Sequence, residues 1–300
     1  MHNELGFIGL GRMGLNMTTR LIEQGYRVVG YDVETVACAA AQAVGVEMVV
    51  DYTALVAALG DAPVVWLMVP SQFVDAVLAE ISPLLPAGAT VIDGGNSFYT
   101  DSLRRYQTLK AKSINFIDVG TSGGMEGARR GASLMIGGEA EVFATIEPLF
   151  AALAAPEGYA RVGGPGAGHF VKMVHNGIEY GMMGAIAEGV NVLHQHQAEF
   201  DIDINEVFKP YEHESIITSK LVTWLRTAYD EGQIDAIAGE VPTGETEAEM
   251  EHIIRELGDV PVLAAAVAQR QQTREVPSYV GTLIAAMRNQ FGGHSTVTKE

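Results

Sequence analysis

Leu5-Gly6-Phe7-Ile8-Gly9-Leu10-Gly11-Arg12-Met13-Gly14 opens the chain with an apolar run that leads directly into a G-x-G-x-x-G spacing. Alone, that spacing is a weak signal in a chain with 34 glycines. Its context strengthens it. The motif follows a predicted strand, opens a predicted helix, and is followed by Asp32 at the end of the second predicted strand. Each glycine then has a physical reason to be there. Gly9 permits the tight turn, Gly11 lets the backbone approach a pyrophosphate, and Gly14 lets helix and strand pack closely. The partial positive charge of the helix N-terminus favours the phosphates. Gly9, Leu10, Gly11, Arg12, Met13 and Gly14 therefore read as a dinucleotide cradle, with Asp32 as acceptor for a ribose hydroxyl.

Outward from this motif, strand-like runs at 5–10, 27–31, 64–69, 90–93, 115–119, 133–136 and 159–162 alternate with amphipathic segments such as 13–24, 74–85 and 102–112. That alternation predicts an α/β Rossmann-type N-terminal domain with a mostly parallel sheet. From Pro165 the β signal stops and helical spacing takes over, 165–197 being the longest stretch, after the breakers Gly163-Gly164-Pro165-Gly166. The predicted division is a nucleotide-binding domain at 1–164 and an all-helical substrate-binding and dimerisation domain at 165–300. The acidic stretch 240–256 reads as a solvated face or loop, and His2, His213 and His252 as surface residues.

Lys+Arg 19 against Asp+Glu 37 gives the 300-residue chain a net charge of −18. That balance disfavours nucleic acid and anionic membranes as partners, and any anionic substrate then needs a local cluster of cations. The single Cys38 excludes an intrachain disulfide or a multi-cysteine metal site. No metal is expected, and the absence of a long apolar run predicts a soluble cytoplasmic protein. Asp32 distinguishes the two nicotinamide cofactors. Its carboxylate suits a free 2′-hydroxyl and repels a 2′-phosphate, and Val33-Glu34-Thr35-Val36-Ala37 brings no cation. NAD is therefore expected over NADP. Met68, Val69 and Pro70, after one strand, read as cover for the adenine or ribose. Asp93-Gly94-Gly95-Asn96-Ser97 and Thr121-Ser122-Gly123-Gly124 follow two others, where such a fold places its ligands.

The segment from Gly168 to Tyr180 places Lys172, His175, Asn176 and Glu179 at i, i+3, i+4 and i+7, on one helix face. Such a stripe is either a solvated face or a buried polar site. The apolar residues on the remaining faces, and His and Asn in place of a Lys/Glu ladder, favour the buried site. There, desolvation lowers a lysine pKa and raises a glutamate pKa, which suits a base and an acid working near neutrality.

The motifs Gly9 to Gly14, Ile92-Asp93-Gly94-Gly95-Asn96-Ser97, Ser122-Gly123-Gly124, Lys172 to Tyr180 and the C-terminal Arg288-Asn289-Gln290-Phe291-Gly292-Gly293-His294 together resemble the decarboxylating 6-phosphogluconate dehydrogenases. The resemblance runs over nearly the whole chain and is to the short, NAD-preferring branch of this β-hydroxyacid dehydrogenase superfamily. It implies metal-free oxidative decarboxylation of 6-phosphogluconate to ribulose 5-phosphate in the pentose phosphate pathway or gluconate utilisation. It also implies roles. Lys172 is the base and Glu179 the acid. Asn96, Ser122, Gly123, Gly124, His175 and Asn176 hold the carboxylate and hydroxyls, with Asn96 also beside the cofactor. Tyr180, Arg270, Arg288 and His294 bind the phosphate. A homodimer is implied, with the C-terminal tail reaching the neighbouring active site. The chain departs from the family at 238–245, where Ala238-Gly239-Glu240-Val241-Pro242-Thr243-Gly244-Glu245 lacks the family's Gly-rich cation followed by Trp-Thr. Another 3-hydroxyacid dehydrogenase acting on an unphosphorylated acid such as gluconate is the alternative that this leaves open.

Overall fold

The structure is a computed structural model that describes residues 3–244 and 246–299; His2 and Glu245 lie outside the described residues. The chain divides into two compact units, Met1–Lys172 and Met173–Glu300.

The first unit contains β1 (Glu4–Ile8), β2 (Arg27–Tyr31), β3 (Glu47–Met48), β4 (Val64–Leu67), β5 (Thr90–Asp93), β6 (Asn115–Ser122), β7 (Ala132–Gly138) and β8 (Ala154–Gly163). Between them run α1 (Arg12–Glu23), α2 (Thr35–Ala43), α3 (Tyr52–Ala57), α4 (Ser71–Ile81), α5 (Tyr99–Lys110), α6 (Gly124–Arg130) and α7 (Ala140–Leu153). The strands form one sheet in the order β3-β2-β1-β4-β5-β6-β7-β8. All pairs are parallel except β6 with β7. The strands at the centre of the sheet are short and buried on both faces, as a parallel sheet between helices requires. Period-two alternation splits them between two cores: Leu5, Phe7, Val64 and Trp66 join one, and Ile8, Val65 and Leu67 the other. Strand order reverses between β1 and β4, so the loops after these two strands flank the crevice where open α/β sheets bind ligands.

The sheet has one strand more than the sequence predicts. β3 is only two residues long, too short for a periodic signal. The boundary between the units falls at Lys172 and Met173 instead of at 164 and 165. The physical reason is close packing: the first turns of α8 (Ala167–Gln195) lie against β6 and β7 through glycines. A methyl group added at Gly168 would overlap the carbonyl of Asp118, and one added at Gly137 would come within 2.5 Å of the Gly168 nitrogen.

The second unit is helical: the rest of α8, then α9 (Gln197–Phe200), α10 (Ile204–Glu212), α11 (Lys220–Asp230), α12 (Gln233–Ala236), α13 (Glu247–His252), a π-helical turn (Ile253–Leu257), α14 (Pro261–Glu275) and α15 (Tyr279–Gly292). Met183, Ala187 and Val190 of α8 pack with Phe208, Leu225, Leu283 and Ile284. α15 is buried on every side from Gly281 to Arg288, as expected for a helix that is apolar all round and lies in the centre of its unit. The reading of 240–256 as a solvated face or loop holds for the coil at 240–244 and is corrected beyond it. Val241, Glu249, Met250 and Ile253 are buried, so the segment is packed and one of its acidic residues lies inside it. His252 is likewise no surface residue, its side chain being 16% exposed, whereas His213 is exposed. Among the described residues no helix is long and apolar enough to cross a membrane.

Asp75 carries the first testable consequence. Its carboxylate accepts from Arg105 Nε at 2.8 Å and from Arg104 Nη2 at 2.6 Å. The Arg105 hydrogen bond, opposed by partial burial and helped by Arg104, holds its pKa down to about 2. A carboxylate with a depressed folded pKa stabilises the fold above its unfolded pKa near 4, and that stabilisation is lost as pH falls toward 2. Asp75→Asn is therefore expected to flatten the acid limb of the Tm-against-pH curve between about pH 4 and pH 2. An unchanged acid limb would remove Asp75 from this role.

Candidate active site

The cradle is built as the glycine spacing requires. Gly9 has φ +93°, a conformation that disfavours a side chain, and a Cβ there would lie 2.5 Å from the Met68 carbonyl oxygen. A Cβ at Gly14 would overlap the Gly9 carbonyl, so α1 closes onto β1 only through hydrogen. Gly11 is different: nothing lies within 4 Å of the position its Cβ would take. It forms the N-cap of α1, and no side chain caps the helix. Open space in front of uncapped N–H groups fits a pyrophosphate. Leu10 donates its N–H to Asp32 Oδ2 at 2.5 Å, and Glu34 donates to Oδ1 at 2.8 Å. Asp32 thereby ties the second strand to the cradle and faces it with a negative charge. Val33 and Val36 beyond it are 77% and 80% exposed, and Arg12 is exposed. Met68 and Val69 are half-buried and Pro70 is exposed, at the end of β4.

The loop after β5 rests on a buried ion pair. Asp93 is fully buried and accepts from Arg105 Nη1 at 3.0 Å and from Ser97 Oγ at 2.8 Å, and Arg105 also donates to Ser97 Oγ at 2.8 Å. These bonds clamp both ends of the segment that presents Asn96. Ser122 ends β6, and Gly123 and Gly124, with φ +114° and +61°, make the turn into α6.

Lys172 is set by β6. A side chain at Gly120 would overlap Lys172 Cβ, so the helix carries the lysine directly across the strand. Asp118, fully buried on the same strand, accepts from Gly166 N–H at 2.7 Å and from His169 N–H at 2.9 Å, which caps α8. Beyond Lys172 the stripe continues inward. His175 and Glu179 are half-buried, and Asn176 is 6% exposed with its amide 3.5 Å from Glu249 Oε2. His175 Nδ1 lies 3.4 Å from Asn176 Oδ1 and 3.9 Å from Glu179 Oε2. The exposed face of this helix is the apolar one: Phe170, Val174, Ile178 and Met182, spaced by four, are 37–62% exposed. The polar stripe is thus no more exposed than this apolar row, whereas an ordinary surface helix turns its polar side to water.

Tyr180 continues the stripe. It is buried, bonds Thr246 Oγ1 through its hydroxyl at 2.9 Å, and carries the Arg270 guanidinium over its ring at 3.3 Å. Arg270 and Arg288 are 5% and 7% exposed. Among the described residues neither has a carboxylate in ion-pair contact: Arg270 Nη2 meets Met183 Sδ, its Nε has no hydrogen-bond partner, and Arg288 Nη1 donates to Pro242 O. Burial pushes Arg270 down to about 10, an effect that the like charge of Arg288 increases and the Tyr180 ring opposes. Burial lowers Arg288 as well. Two desolvated guanidiniums lacking a carboxylate make a site for an anion. His294 lies in the C-terminal tail after α15. It is exposed and packs edge-on against Phe291, while Ala238 and Lys299 pair the C-terminal tail with residues 236–238 of the same unit. Sequence reasoning missed Asp93, Arg105, Asp118 and His169 as site residues. Glu247, in the acidic stretch, pairs with Arg274 at 2.5 Å.

Residues 4–171 match the family described as the NAD binding domain of 6-phosphogluconate dehydrogenase, and residues 168–227 match that enzyme's C-terminal domain. The YqeC protein of Bacillus subtilis is 41% identical over 99% of this chain and 100% of its own. An NAD(+)-dependent, decarboxylating 6-phosphogluconate dehydrogenase of Haloferax volcanii is 37% identical over 99% of each. The Plasmodium falciparum 6-phosphogluconate dehydrogenase, solved apo, with NADP+ and with 6-phosphogluconate, superposes with a TM-score of 0.81 at 27% identity, covering 90% of this chain and 62% of that one.

Proposed function

Because this chain belongs to the 6-phosphogluconate dehydrogenase family, we propose that it catalyses the NAD-dependent oxidative decarboxylation of 6-phosphogluconate to ribulose 5-phosphate and CO2. The observation that carries the substrate is the buried pair Arg270 and Arg288, with Tyr180 beside them, in a chain of net charge −18. A phosphate dianion supplies the charge that these guanidiniums lack. Asp32 and the cation-free turn after it carry the cofactor preference, as does the relative named NAD(+)-dependent.

Lys172 takes the proton of the substrate 3-hydroxyl. A nicotinamide dinucleotide held by the cradle at Gly9, Gly11 and Gly14 would supply the acceptor for the hydride that leaves C3. The resulting 3-keto acid releases CO2 because its carbonyl takes up the electron pair of the broken C–C bond, and the Lys172 ammonium stabilises the oxygen that gains charge. Glu179 then delivers a proton to C1 of the enediol. Asn96, Ser122, Gly123, Gly124, His175 and Asn176 hold the carboxylate and hydroxyls. The exposed apolar run Phe170-Val174-Ile178-Met182 supports a homodimer, since a second copy would cover it. An elution volume and scattering mass of a single chain at micromolar concentration would overturn the dimer.

A second reading has its own observation. The helix that follows the segment lacking the family's phosphate-binding cation brings a buried Glu249 and an Arg274-paired Glu247, which suits the hydroxyls of an unphosphorylated sugar acid. Initial rates of NADH or NADPH formation with 6-phosphogluconate and with gluconate decide between them. Turnover of 6-phosphogluconate with NAD supports the first reading, and turnover of gluconate alone supports the second. Arg288→Ala is expected to raise KM for 6-phosphogluconate by about 10–100-fold, the loss of one charged hydrogen-bonding partner, with a smaller change in kcat. An unchanged KM would remove Arg288 from the phosphate site.

A further inference from the structure

We propose that His169 is a positioning residue, holding the Asn96 loop and the turn of α8 that carries Lys172 at one fixed separation. The inference deepens the proposed function and rests on it, because it takes Lys172 and Asn96 as groups that meet substrate.

His169 is 2% exposed, and both ring nitrogens are engaged. Nε2 lies 3.1 Å from the carbonyl oxygen of Gly95, the residue before Asn96. A carbonyl only accepts, so Nε2 carries a hydrogen. Nδ1 lies 2.7 Å from the hydroxyl of Ser102 on α5. A ring with its hydrogen on Nε2 satisfies both contacts when Ser102 donates to Nδ1. The backbone N–H of the same residue donates to Asp118 Oδ2 on β6. His169 therefore touches the β5 loop, α5 and β6 at once.

Lys172 stands three residues on, one turn along the same helix, and is seated across Gly120 so closely that the strand has no room for a side chain. On the other side, Gly95 N–H is 3.3 Å from Asp93 Oδ1, and Asp93 is held by Arg105 and Ser97. A continuous hydrogen-bonded path thus runs from Arg105 through Asp93, Gly95 and His169 to Asp118. A leucine would fill the space, but it would leave the Gly95 carbonyl and the buried Ser102 hydroxyl without this partner. The loop would then shift relative to the lysine, and a displacement of about 1 Å in a catalytic constellation costs about 10²-fold in rate.

The test compares His169→Leu, His169→Asn and His169→Gln by kcat and KM with 6-phosphogluconate, by NADH titration, by Tm, and by hydrogen–deuterium exchange of residues 94–98. His169→Leu is expected to lower kcat by about 10²-fold, with a far smaller change in NADH affinity. The Gln amide nitrogen reaches the position of Nε2 and is expected to recover most of the turnover and the exchange protection of the loop. The shorter Asn is expected to recover neither, even where its Tm equals that of the Gln variant. Equal rescue by Asn and Gln, or turnover that follows Tm alone across the three variants, would overturn the proposal. A wild-type protein inactive on 6-phosphogluconate would defeat the proposed substrate, while the exchange pattern would still decide whether His169 holds the loop.

Discussion

Lys172→Met is expected to lower turnover by about 10³–10⁴-fold, the joint loss, on the proposed mechanism, of a general base and of a cation beside the developing oxyanion. Methionine keeps the length and the apolar stem of lysine, and the stem is what lies across Gly120, so the helix seat survives. The cradle at Gly9, Gly11 and Gly14 is built by other residues, so NADH affinity is expected to stay near that of the wild type. Single-turnover NADH formation together with a fluorescence titration separates the two effects. A Lys172→Met protein that oxidises substrate at the wild-type rate would remove Lys172 as the base.

Arg105→Met is expected to destabilise the fold by about 3–5 kcal/mol, since it leaves the fully buried Asp93 carboxylate without its cation. At about 2–4 °C of Tm per kcal/mol for chains of 150–250 residues, the shift is large enough to read in a simple melt. The mechanism makes a second demand. Combining Arg105→Met with Asp93→Asn removes the stranded charge and should recover a substantial part of the loss, a non-additivity that a purely volumetric effect would lack. Arg105→Lys tests geometry, because one ammonium replaces a fork that bonds Asp75, Asp93 and Ser97 together. A melt of Arg105→Met indistinguishable from wild type would mean that Asp93 is not held as described.

What was legible in the sequence followed from local spacing. The glycines at 9, 11 and 14 and the stripe from Lys172 to Tyr180 each declare their geometry within one or two turns, because a strand and a helix repeat every 2.0 and 3.6 residues. What stayed hidden depends on partners far apart in the chain. His169 meets Gly95 across 74 positions and Asp118 across 51, and nothing at either end of such a pair signals the other. The acidic stretch at 240–256 misled for a different reason. Composition reports the average of a segment, and there Glu249 and Met250 are buried beside exposed Glu256.

The apolar ridge on α8 has a colloidal consequence in so anionic a chain. In the proposed homodimer, copies that meet through Phe170, Val174, Ile178 and Met182 would each bring a charge of −18, so their long-range approach would be repulsive and their contact attractive. Dissolved salt screens the first over a Debye length of about 8–10 Å and leaves the second intact. Association should therefore tighten as ionic strength rises, the opposite of a dimer held by ion pairs. The melting temperature should also climb with protein concentration, more steeply at high ionic strength, where association is tighter.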